Sequence, residues 1–327
     1  MTAAPALELR DLRVTYRVGD VAVPAVRGVD LAIGPGETVG LAGESGCGKS
    51  TIGAALLRLL PPTATVQGDV LLGGEDVYAM KPGRLRAVRW TKAAIVFQGA
   101  LHSLNPVQRV GSQIEEAVAV HAGARSGRAA KVGELLERFG LPSARATEYP
   151  HQLSGGQRQR VLIALALACA PDVLIADEPT TALDVMVQAQ VLALLAELQR
   201  DEGMAMLFIT HDLSVLSSTC ERVSIMYAGQ IVEEGPARTV LAHPEHPYTK
   251  ALAAAFPTIG DTASRMRPSG LRGDPPDPVD LPTGCPFHPR CDVALPSCST
   301  DPIDLRRVAD GHRAACVHVE PQRAIVG

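Results

Sequence analysis

The protein has 327 residues, of which 46% are hydrophobic and only 3% aromatic, and a formal net charge of −4. This length allows one large or two modest domains, and the charge gives no electrostatic basis for nucleic acid or anionic lipid as the main partner. No apolar stretch reaches the ~20 residues that span a bilayer. The first twelve residues lack the charged start and apolar middle of a signal peptide. We therefore expect a protein that works in the cytosol.

The predicted elements begin with two or three antiparallel strands over residues 7–33, where polar and apolar residues alternate. A buried strand, a glycine-rich loop and a helix follow over 37–60. Residues 99–166 have helical periodicity and interrupt a strand-rich series, which predicts a helical insertion. Strands and helices then alternate, as in an α/β fold with a parallel sheet and helices on its faces.

The loop after the first buried strand matches G-x-x-x-x-G-K-[ST], the pattern that cradles phosphates. A loop that leads from a strand into a helix directs backbone N–H groups and the positive helix end at an anion. Lys49 is expected to reach the β/γ-phosphates, and Ser50 to ligate Mg²⁺. The residues expected to contact the nucleotide here are Gly43, Glu44, Ser45, Gly46, Cys47, Gly48, Lys49, Ser50 and Thr51. The sequence therefore predicts a site for a nucleoside triphosphate.

Two carboxylates, Asp177 and Glu178, follow the apolar run at 173–176. The carboxyl end of a strand is where open α/β sheets bind their ligands. Asp177 is suited to organise Mg²⁺, directly or through water. Glu178 is placed to polarise the attacking water, because phosphoryl transfer needs a positioned base more than covalent chemistry.

A second phosphate-facing helix start is predicted at the LSGGQ sequence, with the residues Ser154, Gly155, Gly156 and Gln157. Together the motifs resemble the ATP-binding cassette (ABC) ATPases over about residues 6–257. The resemblance implies a P-loop, RecA-like parallel sheet core with an antiparallel β-subdomain and the helical insertion at 99–166. It also implies that two cassettes sandwich two ATP molecules, each site pairing one subunit's phosphate loop with the other subunit's LSGGQ.

Four further residues take roles from this resemblance. Tyr16 is similar to the aromatic residue that stacks on adenine, although a strand-pair or core tyrosine is the alternative. Gln98 resembles the glutamine that senses Mg²⁺ and the attacking water, and Asp184 lies in the loop that connects the two ATP sites. His211 resembles the switch histidine at the γ-phosphate. Each position has the expected residue type, which implies a cassette that hydrolyses ATP.

Three segments narrow the resemblance to the ATPases of dipeptide/oligopeptide and nickel importers: SLNP at 103–106, HPEHPYT at 243–249, and GCPFHPRC at 284–291. The chain departs from many members at residues 99–100, Gly-Ala in place of Asp-Pro, near the expected permease contact. The resemblance implies a cassette at 1–257 and a C-terminal extension at 258–327. Within 266–282, proline, glycine, aspartate and arginine predict a linker or extended loop.

The implied function is an ATPase subunit that powers peptide import from the cytoplasmic face of the membrane. The partners implied are two permease subunits, a second, related ATPase and an extracytoplasmic binding protein. The alternatives are an importer ATPase for nickel or another solute, and a non-transport ABC ATPase.

Four cysteines lie within the proline-rich extension: Cys285, Cys291, Cys298 and Cys316. A small unit with little core needs a staple, which suggests a bound metal. The spacing differs from the C-x₂-C pairs of zinc ribbons, and thiolate ligation suits zinc or an iron–sulfur cluster. The resemblance favours a [4Fe–4S] cluster, because some relatives carry one in this tail. Zinc and free thiols are the alternatives.

Overall fold

The structure is a computed structural model that describes residues 4–97, 103–122, 128–181, 183–255 and 271–319. It divides into two compact units. The first comprises Met1–Glu8, Ala32–Glu37 and Leu71–Leu207, and the second comprises Leu9–Leu31, Thr38–Val70 and Phe208–Gly327. None of the helices in these described ranges is both long enough and apolar enough to cross a membrane.

Strands and helices alternate along most of the chain. The strands are β1 (Leu7–Val18), β2 (Val21–Ile33), β3 (Thr38–Ala42), β4 (Ala64–Leu72), β5 (Glu75–Asp76), β6 (Ala93–Val96), β7 (Val173–Asp177), β8 (Ala205–Thr210), β9 (Arg222–Tyr227), β10 (Gln230–Pro236), β11 (Arg306–Ala309) and β12 (His312–Ala314). The helices are α1 (Lys49–Leu56), α2 (Pro82–Val88), α3 (Val110–Ala122), α4 (Arg128–Arg138), α5 (Gly155–Ala166), α6 (Val185–Glu202), α7 (Leu213–Thr219), α8 (Ala237–Ala242) and α9 (Pro247–Ala255).

The second unit contains the strand that leads into the phosphate loop. Its neighbouring strands run in the order β11, β12, β10, β9, β3. Strand β3 pairs with β9 in parallel, whereas β9 with β10 and β10 with β12 are antiparallel. All five residues of β3 are buried, as expected for a strand covered on both faces. The C-terminal extension therefore adds its two strands to the sheet that positions the phosphate loop.

Strands β2, β1 and β4 are neighbours, in that order, in a separate small sheet. Strands β1 and β2 span most of the alternating segment at 7–33. Their apolar positions form one side of the core, with Leu9, Leu12, Val14 and Val26 almost fully buried. The alternation of polar and apolar residues explains this, because successive side chains of a strand point to opposite faces.

In the first unit, β6 pairs with β7 in parallel, with Ala93 opposite Val173 and Val96 opposite Ala176. The described residues between β6 and β7 form α3, α4, α5 and two 3₁₀ turns, at Ser143–Thr147 and Pro150–Gln152. This matches the helical character predicted for 99–166. The boundary predicted near residue 257 lies in a segment outside the described residues, so it stays a prediction.

Candidate active site

The phosphate loop joins β3 to α1 and passes close to other backbone segments of the second unit. A Cβ on Gly43 would lie 2.1 Å from the carbonyl oxygen of Met226, and one on Gly48 would lie 2.3 Å from that of Ala25. Gly48 also has φ 108° as the residue that caps α1, a conformation that glycine adopts at little cost. These two positions therefore need glycine for the loop to form.

The tip of the loop is open to solvent, with Ser45, Gly46 and Ser50 exposed. Helix α1 has no acidic residue in its first turn, so no carboxylate there offsets the positive end of the helix. An exposed loop at a helix N-terminus fits a polyphosphate, as predicted.

Lys49 is buried within the loop. Its Nζ donates to the carbonyl oxygens of Gly43 at 2.7 Å and Glu44 at 2.8 Å, and it lies 3.6 Å from Sγ of Cys47. Burial raises the pKa of Cys47, an effect that the nearby ammonium group partly opposes, so the Cys47 side chain is a neutral thiol. In this state Lys49 braces the loop, and a bound phosphate would compete with the carbonyl oxygens for its N–H groups.

Two other predicted ligands lie in the same unit. The hydroxyl groups of Tyr16 and Thr51 are 3.2 Å apart, which places the expected adenine-stacking residue beside the start of α1. His211 is exposed and follows β8 directly. The next residue, Asp212, caps α7 by accepting the N–H of Ser214 at 2.9 Å.

The two predicted acidic residues lie at the end of β7 in the first unit. Asp177 is 5% exposed. Glu178 has a positive φ of 47°, which is costly for a residue with a side chain and is common at functional sites. Its carboxylate accepts the hydroxyl of Thr181 at 2.8 Å. The Glu178 backbone thus makes a sharp turn directly after β7, and Thr181 holds its carboxylate.

The LSGGQ sequence forms the start of α5, as predicted. Ser154 accepts the N–H of Gln157 at 3.3 Å, and the side chain of Gln157 accepts the N–H of Ser154 at 2.9 Å. This reciprocal capping box satisfies two backbone donors. A Cβ on Gly156 would lie 2.4 Å from Cγ1 of Val187 on α6. Asp184 caps α6 through the N–H of Val187 at 3.0 Å.

Gln98 lies outside the described residues, so its role in sensing Mg²⁺ and the attacking water stays a prediction. Residues 271–282, the described part of the segment predicted at 266–282 as a linker or extended loop, contain no helix or strand, so an extended loop is confirmed there. Pro275, Pro276 and Pro278 line a cavity of about 250 Å³ together with loop residues 44–47. Pro276 is half-buried and Pro275 and Pro278 are exposed, so this segment borders the loop without joining the core.

The four cysteines of the extension line one common cavity. Its free volume is about 10 Å³, which is room for no more than one water molecule. Burial raises the pKa of Cys285, Cys291 and Cys316, so these side chains are neutral thiols here. Across the described part of the chain, no three His, Cys, Asp or Glu side chains are placed to hold a metal ion. The geometry thus does not support the predicted cluster.

The residues behind the phosphate loop were not predicted from the sequence. The hydroxyl of Tyr248 accepts the N–H of Glu44 at 2.8 Å, and Arg290 pairs with the Glu44 carboxylate at 2.7 Å. The rings of Tyr227, Tyr248 and Phe287 form one buried aromatic cluster, with centroids 4.6–5.4 Å apart. Tyr248 lies in the segment at 243–249 and Arg290 in the segment at 284–291. The resemblance of these two segments to importer ATPases was the only sign in the sequence that these residues matter.

Comparisons with known proteins agree with this geometry. Residues 26–181 match the ABC transporter family, and residues 232–298 match the C-terminal region of oligopeptide/dipeptide transporters. Proteins of Brucella ovis and Brucella abortus, both described as peptide import ATP-binding proteins, are 43% identical over 97% of this chain and 98% and 96% of their own lengths. The chain belongs to the ABC transporter family.

The solved structures support the same family. The ABC cassette MJ0796, in a dimeric post-hydrolysis state bound to ADP and Pi, has a TM-score of 0.64 and 33% identity, over 71% of this chain and 99% of that chain. As an ABC ATPase, the chain binds ATP with Mg²⁺ and hydrolyses ATP, which fits the open phosphate loop and the absence of acidic residues at the start of α1.

Proposed function

We propose that this ABC ATPase is the nucleotide-binding subunit that powers import of di- and oligopeptides. The observation that carries the proposal is the likeness, over 97% of the chain, to proteins described as peptide import ATP-binding proteins. The match of 232–298 to the oligopeptide/dipeptide transporter region supports the same substrate class.

Five residues carry the proposed hydrolysis. Lys49 leaves the loop carbonyls and binds the β/γ-phosphates, while Ser50, Asp177 and Gln98 would hold Mg²⁺, which neutralises phosphate charge when bound. Glu178 accepts a proton from the attacking water, for which its position at a sharp turn after a buried strand is suited.

Other residues recognise the nucleotide and complete the site. Tyr16 stacks on adenine, and His211 contacts the γ-phosphate. The exposed start of α5, with Ser154 and Gly155, binds ATP held by the phosphate loop of a second ATPase subunit, and Asp184 connects the two sites. The proposed working unit is therefore a dimer of cassettes, with a second, related ATPase as the partner.

The proposed complex also contains two permease subunits and receives substrate from an extracytoplasmic binding protein. The subunit then sits on the cytoplasmic face of the membrane. A nickel importer, or an importer of another solute, is the runner-up, because the cassette itself does not contact the substrate in this proposal.

The test is affinity purification of the tagged chain from detergent-solubilised native membranes, with the co-purifying chains identified by mass spectrometry. Two permeases and a second cassette would support the proposal, and peptide-stimulated ATPase activity of the reconstituted complex would support the substrate class. Recovery of soluble partners without any membrane protein would refute the importer function while leaving the ATP site intact.

The metal predicted for the extension stays a prediction from the sequence. Its support is that Cys285, Cys291, Cys298 and Cys316 line one cavity. Iron, sulfide and zinc analysis of anaerobically purified protein tests it. Protein that contains neither iron nor zinc at near one equivalent would refute the metal prediction.

A further inference from the structure

Arg290 directs its guanidinium group at the phosphate loop. Its two amino groups bond to the two carboxylate oxygens of Glu44 at 2.7 and 3.0 Å. The other donors reach the carbonyl oxygens of Arg272 at 2.8 Å and Gly273 at 3.1 Å and the hydroxyl of Tyr227 at 3.2 Å. All five N–H donors of the guanidinium thus have an acceptor. Two parallel hydrogen bonds between a guanidinium and a carboxylate fix the relative orientation of the two side chains and hold their opposite charges together.

The pair is largely shielded from water, since the Arg290 side chain is 8% exposed and that of Glu44 is 19% exposed. The guanidinium is charged, as arginine always is in proteins. Surface ion pairs contribute little, but a pair excluded from water leaves a costly lone charge when one partner is removed.

Every polar group of Glu44 forms a hydrogen bond. Its N–H donates to Tyr248 and its carbonyl oxygen accepts from Lys49, each at 2.8 Å, and its carboxylate bonds to Arg290. Two of these contacts come from residues more than 200 positions further along the chain. The conformation of the phosphate loop one residue before its exposed tip is therefore set by α9 and the C-terminal extension.

Glu44 also places a negative charge inside a loop that must receive a polyphosphate. The carboxylate of Glu44 and a bound polyphosphate repel each other, and the repulsion is strong where water is excluded. We propose that Arg290 is a positioning residue of the ATP site, which neutralises Glu44 and fixes its place in the phosphate loop so that the loop accepts the triphosphate. This inference rests on the ATP site and not on the identity of the imported substrate.

The proposal predicts a change in nucleotide affinity and not in the chemical step. Arg290→Gln leaves Glu44 charged and unpaired, so the Kd for ATP is expected to rise about tenfold and the KM with it, with kcat within about twofold of wild type. The effect is larger for ATP than for ADP, because ATP carries one more negative charge. Glu44→Gln in the Arg290→Gln background removes the repelling charge and restores most of the affinity.

The experiment measures binding of fluorescent N-methylanthraniloyl ATP and ADP to the full-length protein, with the KM and kcat of ATP hydrolysis and a thermal unfolding curve for each variant. The variants are Arg290→Gln, Glu44→Gln and the double variant. The matched control is Arg307→Gln, because Arg307 forms an exposed pair with Asp310 in the same extension, at 62% and 101% exposure. The control is expected to bind both nucleotides as the wild type does.

A weaker, ATP-selective affinity in Arg290→Gln that Glu44→Gln restores would support the proposal. Equal loss for ATP and ADP without rescue, or a lower unfolding temperature with unchanged affinity, would overturn it, since Arg290 would then only anchor the extension. Wild-type protein that binds ATP no better than Lys49→Ala would instead refute the ATP site itself and the inference with it.

Discussion

The Nε2 atom of His312 lies 2.8 Å from the Oε1 atom of Glu233, and neither side chain is more than 3% exposed. Glu233 also accepts the N–H groups of Glu245 at 2.8 Å and His246 at 3.0 Å. One buried carboxylate on β10 thus holds both the segment before α9 and strand β12 of the extension. Since α9 carries Tyr248, Glu233 also supports the residues that contact the phosphate loop.

Glu233→Gln is expected to lower the free energy of unfolding by about 2–4 kcal/mol, because an amide cannot serve three donors and brings N–H groups of its own. Urea unfolding followed by circular dichroism measures the loss. The control is Glu75→Gln, since Glu75 and its partner Arg84 are 43% and 49% exposed, and it should leave the free energy of unfolding nearly unchanged. Equal losses in the two variants would contradict the role assigned to Glu233.

The stability of the protein should fall in mild acid because of His246. Burial lowers the pKa of His246 from 6.5 to about 4, and its Nδ1 atom accepts the N–H of Tyr248 at 3.1 Å, which needs a neutral ring. Between these two values the unfolded chain binds the proton and the folded protein does not. The free energy of unfolding therefore decreases as the pH falls from 6.5 towards 4.

The expected contribution of this one residue is a loss of about 2 kcal/mol between pH 7 and pH 5. Urea unfolding at a series of pH values measures it. The matched variant is His246→Asn, whose amide oxygen can accept the same N–H but does not titrate. A pH profile as steep in His246→Asn as in the wild type would show that other groups cause the loss.

Glu178→Gln is expected to lower the rate of ATP hydrolysis about 10²–10⁴-fold, because an amide cannot accept a proton from the attacking water. Binding of the fluorescent ATP analogue should stay near the wild-type level. Phosphate release measures turnover, and the exposed Glu197→Gln on α6 serves as the control. Turnover at the wild-type rate in Glu178→Gln would exclude Glu178 as the base.

The two glycines of LSGGQ should respond differently to alanine. A Cβ on Gly156 would lie 2.4 Å from Cγ1 of Val187, whereas one on Gly155 would have its nearest contact at 3.9 Å. Gly156→Ala should therefore cost about 1–3 kcal/mol of stability, because valine has few alternative rotamers. Val187→Ala should relieve most of that loss.

Gly155→Ala should fold like the wild type, and thermal unfolding of both variants tests this difference. If Gly155 approaches the ATP of a second cassette, as proposed, Gly155→Ala should reduce ATPase activity without a change in stability. A wild-type rate in Gly155→Ala would count against that role.

Patterns among neighbouring residues in the sequence predicted several local structures of this protein. The phosphate loop, the LSGGQ helix start and the two acids at the end of β7 were placed from residues within a few positions of one another. Strand β8 at Ala205–Thr210 belongs to the predicted alternation of strands and helices. These features are local because backbone turns, caps and helix starts are decided by adjacent residues.

The metal prediction shows the limit of the same reasoning. Four cysteines in sequence indicated a ligand set, and in the fold they line one cavity, but a shared cavity is a weaker condition than four converging thiolates. Ligand geometry depends on side-chain directions from separate turns, and no local pattern encodes these directions. The extended loop predicted at 266–282 was correct over its described residues, but its position beside residues 227–229 was not predictable, because these residues are distant in sequence.

The sequence by itself determined that the chain binds and hydrolyses a nucleoside triphosphate and which family it belongs to, because those motifs need only neighbouring residues. The tertiary structure decided what holds the phosphate loop in place. Tyr248 and Arg290 reach Glu44 across 204 and 246 positions of chain, and only the packing of α9 and the extension against the loop brings them there. Long-range contacts of this kind arise from the burial of apolar and charged groups together, which no short stretch of sequence specifies.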